Sequence, residues 1–408
     1  MFMLPRALRL LVLFLVVCSG LALLAQTPPR ETVILISLDG WRWDYIHYAN
    51  VPNVRALAAR GVRSEGLIPS YPSVTFPNHY TIVTGLVPDR HGIVSNTMVD
   101  RTIGPERFTM QSQTAKDPRW WGGEPIWTTA IKQGHKSASM FWPGSEAIFP
   151  TYWKPYDGKV PNLDRVQQVL TWMKLPDAER PSVITLYFSD VDSTGHSFGP
   201  DSPELLAATR RLDDMLGVLL DGIAAIGFAD RTTIILTSDH GMAQTSASRL
   251  IFLDDYIEPT EAEVIDSGAS LGLNPAPGTT ADALYKKLSG KHPSLSIYKK
   301  EQTPAWLRYG SHSRVPAIVG LAQSGWLVTT RASAAKRAGS HYGGAHGYDP
   351  RYRDMHGLFV AAGPRVRQGY LAPALQNVHL YNFMCTLLGL KPAPNDGDST
   401  QTANFTVW

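Results

Sequence analysis

The stretch ETVILISLDGWRWDYI, Glu31 to Ile46, holds a short, almost unbroken apolar run closed by Asp39 and Gly40. Its length and β-branched content predict a strand buried on both faces, the kind that fills a parallel sheet. VPNVRALAARG, residues 51–61, follows with apolar residues at helical spacing and a terminal glycine, which makes a strand–helix unit. The unit recurs downstream. PSVITLYFSDVD (181–192) reads as a strand and SPELLAATRRLDDMLGVLLDGIAAIG (202–227) as a long amphipathic helix. RTTIILTSDHG (231–241) and HGLFVAAGP (356–364) read as further strands, and VHLYNFMCTLLGL (378–390) as a last helix. This alternation predicts an α/β fold with a largely parallel central sheet flanked by helices. The segment 253–337 breaks the pattern with Gly, Pro, Ser and Lys and weak periodicity. It is expected to be a cap subdomain inserted within one catalytic domain spanning 31–400.

The 408 residues are 44% apolar and 18% charged, which suits a packed globule rather than a disordered chain. A formal net charge of +3, with no long Lys/Arg block, gives no electrostatic basis for binding a nucleic-acid polymer. At the N-terminus, Arg6 and Arg9 precede an apolar run that ends in small residues near Ala22 and Ala25. Residues 1–25 are therefore expected to be a secretory signal peptide, with the mature protein periplasmic or secreted and free of a membrane span. The alternatives are a retained anchor, for which Leu10 to Ala25 falls short of spanning length, and lipid attachment at Cys18, where bulky Val17 replaces a small residue. Cys18 and Cys385 are the only cysteines, so cleavage leaves Cys385 without an intramolecular partner. Its apolar setting predicts a buried packing residue. The sequence leaves the oligomeric state open.

Ligands of open α/β sheets collect at the carboxyl ends of strands. Here those ends carry Asp39, Asp192 with His196, and Asp239 with His240, while His346 lies in the loop GGAHGYD (343–349) ahead of the strand at 356–364. A single Asp-Gly is ordinarily a turn, and a single histidine ordinarily a satisfied polar side chain. Carboxylates and imidazoles at several strand ends converge on one place, and a set without thiolates suits Zn²⁺ or another divalent ion such as Mn²⁺. Asp192, His196 and His346 are expected to form one three-ligand site with an open position. Asp39, Asp239 and His240 are expected to form the other, with the Thr75 hydroxyl as fourth ligand. Two metals about 4 Å apart clamp the attacking and leaving oxygens of an in-line phosphoryl displacement. In SYPSVTFPNHY (70–80), Thr75 is a β-branched residue among turn formers. A free hydroxyl is a weak nucleophile that metal coordination activates, which gives Thr75 a reason to stand there. Asn96 in GIVSNTM (92–98) reads by itself as a turn-capping residue, with a phosphate-oxygen donor as the alternative.

With these residues in view, the sequence resembles the nucleotide pyrophosphatase/phosphodiesterases of the alkaline phosphatase superfamily, in their bacterial single-domain form. The resemblance runs from VILISLDGWRWDY (33–45) to PAPNDG (392–397), through YPSVTFPNHYTIVTGLVPDRHGIV (71–94), GEPIW (123–127), FWPGSE (141–146), DSTGHSFGP (192–200), TSDHGM (237–242) and GAHGYD (344–349). It implies an alkaline-phosphatase-like fold and two zinc ions per subunit, held by the two ligand sets above. It implies Thr75 as the nucleophile of a covalent nucleotidyl intermediate and Asn96 as a holder of the phosphate oxygen. It also implies that Phe76 and Tyr156 sandwich a nucleotide base, with Trp142 beside them. Pro77, Asn78 and His79 are then the scaffold that aims Thr75. The cysteine-rich and nuclease-like domains of multidomain animal relatives are not expected, given two cysteines and an early end.

The expected activity is hydrolysis of nucleotide pyrophosphate or phosphodiester bonds, for example ATP to AMP and pyrophosphate, with a small-molecule nucleotide as partner. The alternative is the same two-metal chemistry on a lysophospholipid or choline-phosphate headgroup, a phosphonate or a monoester. No arginine stands beside Thr75 to hold a dianionic phosphate, which favours a diester. A sulfatase does not fit, because neither cysteine occupies the nucleophile position.

Overall fold

In the computed structural model, which describes residues 31–336 and 342–407, the first apolar run is strand β1 (Thr32–Leu38), buried along its whole length. Its side chains alternate between two apolar layers: Val33 and Leu35 join one core, Ile34 and Ile36 the other. A strand covered on both faces has no place for polar alternation, which explains its continuous apolar reading. Seven further strands complete an eight-stranded sheet: β2 (Val62–Ser64), β3 (Lys136–Met140), β4 (Tyr152–Lys154), β5 (Pro181–Phe188), β6 (Thr232–Thr237), β7 (Phe359–Ala362) and β8 (Tyr370–Ala372). Their order is β8-β2-β7-β6-β1-β5-β3-β4.

β1 pairs in parallel with β5 and β6, Leu38 facing Phe188 and Ser37 facing Thr237, so three neighbouring strands end level with one another. β3 and β4 continue the parallel set. β7 runs antiparallel between β6 and β2, which makes the sheet mixed but mostly parallel. Helices α1 (Pro52–Ala59), α3 (Asn162–Met173) and α5 (Pro203–Ala225) pack on one face. Helices α2 (Thr75–Thr84) and α6 (Leu380–Leu388) pack on the other, where Cys385 is buried. A short helix α4 (Asp190–Phe198) follows β5 directly.

Between β6 and β7 the chain builds a separate four-stranded antiparallel sheet, ordered Ala262–Asp266, Ser270–Pro275, Ile318–Ala322, Leu295–Lys299. It has its own apolar cluster and packs the helix Ala281–Leu288. Strands Leu250–Phe252 and Leu327–Thr329 flank it and pair in parallel, so the segment leaves and rejoins the main body at one place. The last residue of the segment expected as an insertion, at 337, lies outside the described residues, as does the leader expected at 1–25 with Cys18. Among the described residues, no helix is long and apolar enough to cross a membrane.

One buried carboxyl ties two helices of that first face together. Helix α1 has Val51 at its N-cap and no side-chain cap of its own. Asp213 of α5, wholly buried, supplies the missing acceptor: it takes the N–H of Val54 at 2.8 Å, the N–H of Asn53 at 3.2 Å and the Asn53 amide at 3.0 Å. Removing this acceptor strands these donors in the core. Asp213→Ala is expected to cost about 3 kcal/mol of unfolding free energy in a denaturant titration. The specific activity of the protein that remains folded should not change.

Candidate active site

The level ends of β1, β5 and β6 place three acidic positions together. Asp39 and Gly40 follow β1, and Asp239 and His240 follow β6. Gly40 adopts φ +69°, and a Cβ there would lie 2.8 Å from the Asp192 Cα, so only glycine lets these two segments meet. Its N–H donates to Asp239 Oδ1 at 3.3 Å. Asp192 and His196 lie one turn apart on α4, the i and i+4 spacing that puts both on one face. His346 arrives from far along the chain. A two-residue antiparallel pairing of Gly344–Ala345 with Ala243–Gln244 fixes where it enters.

Two clusters result: Asp192, His196 and His346, and Asp39, Asp239 and His240, each with ligand atoms within 4.8 Å of one another. In the first, His196 Nε2 and His346 Nε2 each lie 3.4 Å from Asp192 Oδ1 and 3.1 Å from each other. In the second, His240 Nε2 lies 2.9 Å from Asp239 Oδ2 and 3.5 Å from Asp39 Oδ1. The His240 and His346 rings stack at 3.6 Å, so the clusters are neighbours.

The rims of both clusters are fixed and their centres are not satisfied. His196, His240 and His346 each set Nδ1 against a backbone carbonyl, of Gly344, Gly241 and Ser73 respectively, at 3.0, 2.9 and 3.0 Å. A carbonyl only accepts, so Nδ1 carries the proton and Nε2 presents a lone pair inward. That is the orientation outer partners impose on metal-binding histidines. Tyr187 donates to Asp39 Oδ2 at 2.6 Å, which commits one oxygen and leaves the other. Asp39 Oδ1, Asp192 Oδ1, Asp239 Oδ2 and His240 Nε2 are buried without a hydrogen-bond partner. Other buried side-chain atoms among the described residues also lack a partner, such as the Trp41 and Trp120 indole N–H groups; these four differ in being carboxylate and imidazole atoms gathered in the two clusters.

Electrostatics agree. Burial, then Asp239 and Asp192, push the Asp39 carboxyl well above its ordinary range. Burial works the same way on Asp239, but His240 and His79 hold it below that range. Burial, with His240 and His196, holds His346 well below its ordinary value, which keeps it a neutral ligand. Three carboxylates and three imidazoles of this geometry fit divalent cations, and the oxygen–nitrogen donor set fits zinc.

Thr75 is the first residue of α2, and Val74 enters in extended conformation. Asn78 secures that entry: it donates to the carbonyls of Pro72 and Val74, both at 2.9 Å, and accepts from the Ser70 N–H at 2.7 Å. His79 donates from Nδ1 to the Thr75 carbonyl at 2.8 Å and accepts from Ser37 through Nε2 at 2.8 Å. The same Nδ1 lies 3.4 Å from Asp239 Oδ2, so one buried imidazole ties the Thr75 turn to the second cluster. Asn96 Oδ1 accepts the Phe76 N–H at 2.8 Å, beside Thr75. Its oxygen is thereby engaged and its amide N–H groups remain as donors.

Asp39, Thr75 and Asp192 line a cavity of about 460 Å³ together with Phe76, Trp142 and Tyr156. Such a volume suits a small-molecule ligand. Phe76 rests against Trp121 and Phe108, with ring centroids 5.9 and 6.1 Å away. Trp142 is buried, donates to the His79 carbonyl at 3.1 Å and doubles as a core residue. Tyr156 is 53% exposed, edge-on to Phe141, and its N–H donates to Glu146 at 2.8 Å. Of the residues expected in the site, Asp39, Thr75, Phe76, Trp142, Tyr156 and Asp192 line this cavity, His196, Asp239, His240 and His346 complete the two clusters, and Asn96 is bonded to the Phe76 N–H. Tyr187 and Glu146 also line the cavity, and sequence reading missed both. Each carried only the signal of an ordinary core or surface residue.

The family model described as type I phosphodiesterase/nucleotide pyrophosphatase matches residues 33–349. The chain is 38% identical over 386 residues to human ectonucleotide pyrophosphatase/phosphodiesterase family member 1, covering 91% of this chain and 41% of that protein. It is 36% identical over 389 residues to a venom phosphodiesterase of Macrovipera lebetinus, covering 91% and 45%. The chain therefore spans less than half the length of these curated relatives. Among solved structures, it is similar to murine ectonucleotide pyrophosphatase/phosphodiesterase 5 in an inactive form in complex with AMP, with TM-score 0.87, 32% identity and coverage of 92% of this chain and 100% of that one. The human counterpart superposes equally, with TM-score 0.87 at 33% identity.

Proposed function

The chain belongs to the type I phosphodiesterase/nucleotide pyrophosphatase family, and from that membership and the site geometry we propose that it is a two-zinc hydrolase of nucleotide pyrophosphate and phosphodiester bonds. The observation that carries the reading is the set of four buried, unpartnered donor atoms that face one another beside Thr75. Asp192, His196 and His346 would hold one ion, and Asp39, Asp239 and His240 the other, with Thr75 at the second. Bound there, the ions supply Lewis acidity that makes a hydroxyl nucleophilic and stabilises a departing oxygen.

The protein's own residues do the rest. Asn78 and His79 hold the turn that presents the Thr75 hydroxyl, so the attacking atom is oriented before substrate arrives. Asn96 offers its amide N–H groups to a non-bridging phosphate oxygen, where negative charge gathers. Phe76 and Tyr156 receive the base, and AMP in the murine relative's structure supports a nucleotide as the occupant.

A substrate panel at controlled zinc concentration tests the proposal. ATP and p-nitrophenyl thymidine monophosphate should turn over, and glycerophosphocholine should not. Equal turnover of glycerophosphocholine would move the reading to the headgroup alternative. Tyr156→Ala is expected to lower the preference for p-nitrophenyl thymidine monophosphate over methyl p-nitrophenyl phosphate about tenfold or more, since a base stack is worth about 1–3 kcal/mol. Both compounds share a leaving group, so their ratio isolates what the retained side of the substrate contributes.

A further inference from the structure

Arg165 is a buried cation that the chemistry above does not use. It sits in the first turn of α3 and is 2% exposed. It donates to the carbonyls of Val160 at 3.0 Å, Tyr187 at 3.1 Å and Gly158 at 3.4 Å. Its guanidinium carbon lies 5.0 Å over the Phe141 ring and 6.0 Å from the Phe188 ring. Among the described residues its partners are carbonyls and aromatic faces, and no carboxylate lies within ion-pair distance. A cation held this way is a costly means of filling space, because Asp190 and Asp157 act on it only from beyond ion-pair distance and do not offset its desolvation.

What it holds is the wall of the cavity. Gly158 and Val160 lie in the same loop as Tyr156, between the strand ending at Lys154 and α3. Phe141, under the guanidinium, touches the Tyr156 ring at 5.2 Å and 71°. Phe141 also has φ +62°, a left-handed backbone that a bulky residue adopts only when its surroundings impose it. Tyr156 itself is half exposed and has little packing of its own beyond Phe141, the edge of Tyr187 and the Glu146 bond to its N–H. The third carbonyl, that of Tyr187, belongs to the strand whose phenol orients Asp39.

We propose that Arg165 is a positioning residue for substrate choice: through the Phe141 ring and the carbonyls of Gly158 and Val160, it holds the Tyr156 loop in register with the metal-side strand. Its effect on turnover rests on the phosphodiesterase reading; its effect on the loop does not. Arg165 contacts no reacting atom, so its loss changes which diester is preferred and not how the phosphorus is attacked.

The test uses the full chain with Arg165→Met, which keeps length and removes charge and donors, and Arg165→Lys, which keeps the charge without the planar fork. Arg165→Met is expected to lower the ratio of kcat/KM for p-nitrophenyl thymidine monophosphate over methyl p-nitrophenyl phosphate by about tenfold, carried by KM, with zinc content unchanged. Arg165→Lys should fall between. In a Tyr156→Ala background, Arg165→Met should leave the ratio where Tyr156→Ala put it. Hydrogen exchange at amides 156–160 should accelerate in Arg165→Met, whatever the protein hydrolyses. An unchanged ratio with unchanged exchange, or a full additional fall in the Tyr156→Ala background, overturns the proposal. If the unaltered protein hydrolyses neither ester, the phosphodiesterase reading fails, and the exchange of amides 156–160 alone decides the role of Arg165.

Discussion

Thr75→Ala is expected to reduce turnover of p-nitrophenyl thymidine monophosphate by about 10⁴-fold or more, while zinc content and AMP binding stay close to those of the unaltered protein. The size of the effect follows from what the hydroxyl does. Asn78, His79 and Asn96 organise the turn around Thr75 through its neighbours and its carbonyl, and none of these bonds uses its side chain. Alanine therefore preserves the turn, the cavity and the six Asp and His side chains of the clusters, and removes the proposed attacking atom, which is also the fourth ligand proposed for the second ion. Parallel assays of turnover, bound zinc and AMP affinity separate this outcome from collapse of the site. Thr75→Ser should retain measurable activity, because the oxygen survives and only the methyl group is lost.

Stripping the metals with a chelator should likewise abolish turnover, and two equivalents of Zn²⁺ per chain should restore it. A second consequence concerns stability. Ions that bind only the folded state raise its stability by mass action, about 2.7 kcal/mol at a hundred times the dissociation constant. Without them, Asp39 and Asp239 are buried with half-buried Asp192 nearby, and the Asp39 carboxyl is raised well above its ordinary range. A carboxyl whose folded-state pKa is raised binds its proton more tightly when folded, so stability falls as pH rises from the ordinary value through the raised one. Metal-free Asp39→Asn should therefore be more stable than the metal-free unaltered protein at neutral pH, with the gap closing on acidification. With zinc bound the order reverses at neutral pH, because Asp39→Asn weakens a ligand. Thermal unfolding with and without chelator across pH reads both trends.

The sequence carries the part of this architecture that is local. The run ending at Leu38 is continuous and apolar, and the one ending at Thr237 is buried throughout, because both faces are covered, and the candidate ligands Asp39, Asp239 and His240 follow them within three residues. Asp192 and His196 announce themselves by i, i+4 spacing. The location of His346 depends on a two-residue pairing with Ala243–Gln244, too short to leave a pattern, and only its motif marked it. Tyr187 was illegible for a different reason. It lies within a wholly buried strand, so its phenol reads as core packing until the fold sets it against Asp39. Nothing in the sequence sets Arg165 apart; its burial comes from the loop folding back over it. His79 was legible only as scaffold beside Thr75, and its link to Asp239 exists only in three dimensions.

The central claim is that Thr75 attacks phosphorus and water then releases the product, so that two displacements occur at one centre. The most direct measurement is the stereochemical course of hydrolysis of a single-configuration phosphorothioate analogue of p-nitrophenyl thymidine monophosphate in isotopically labelled water. Two in-line displacements predict net retention of configuration at phosphorus. Net inversion would mean that water attacks directly and that Thr75 is not the nucleophile.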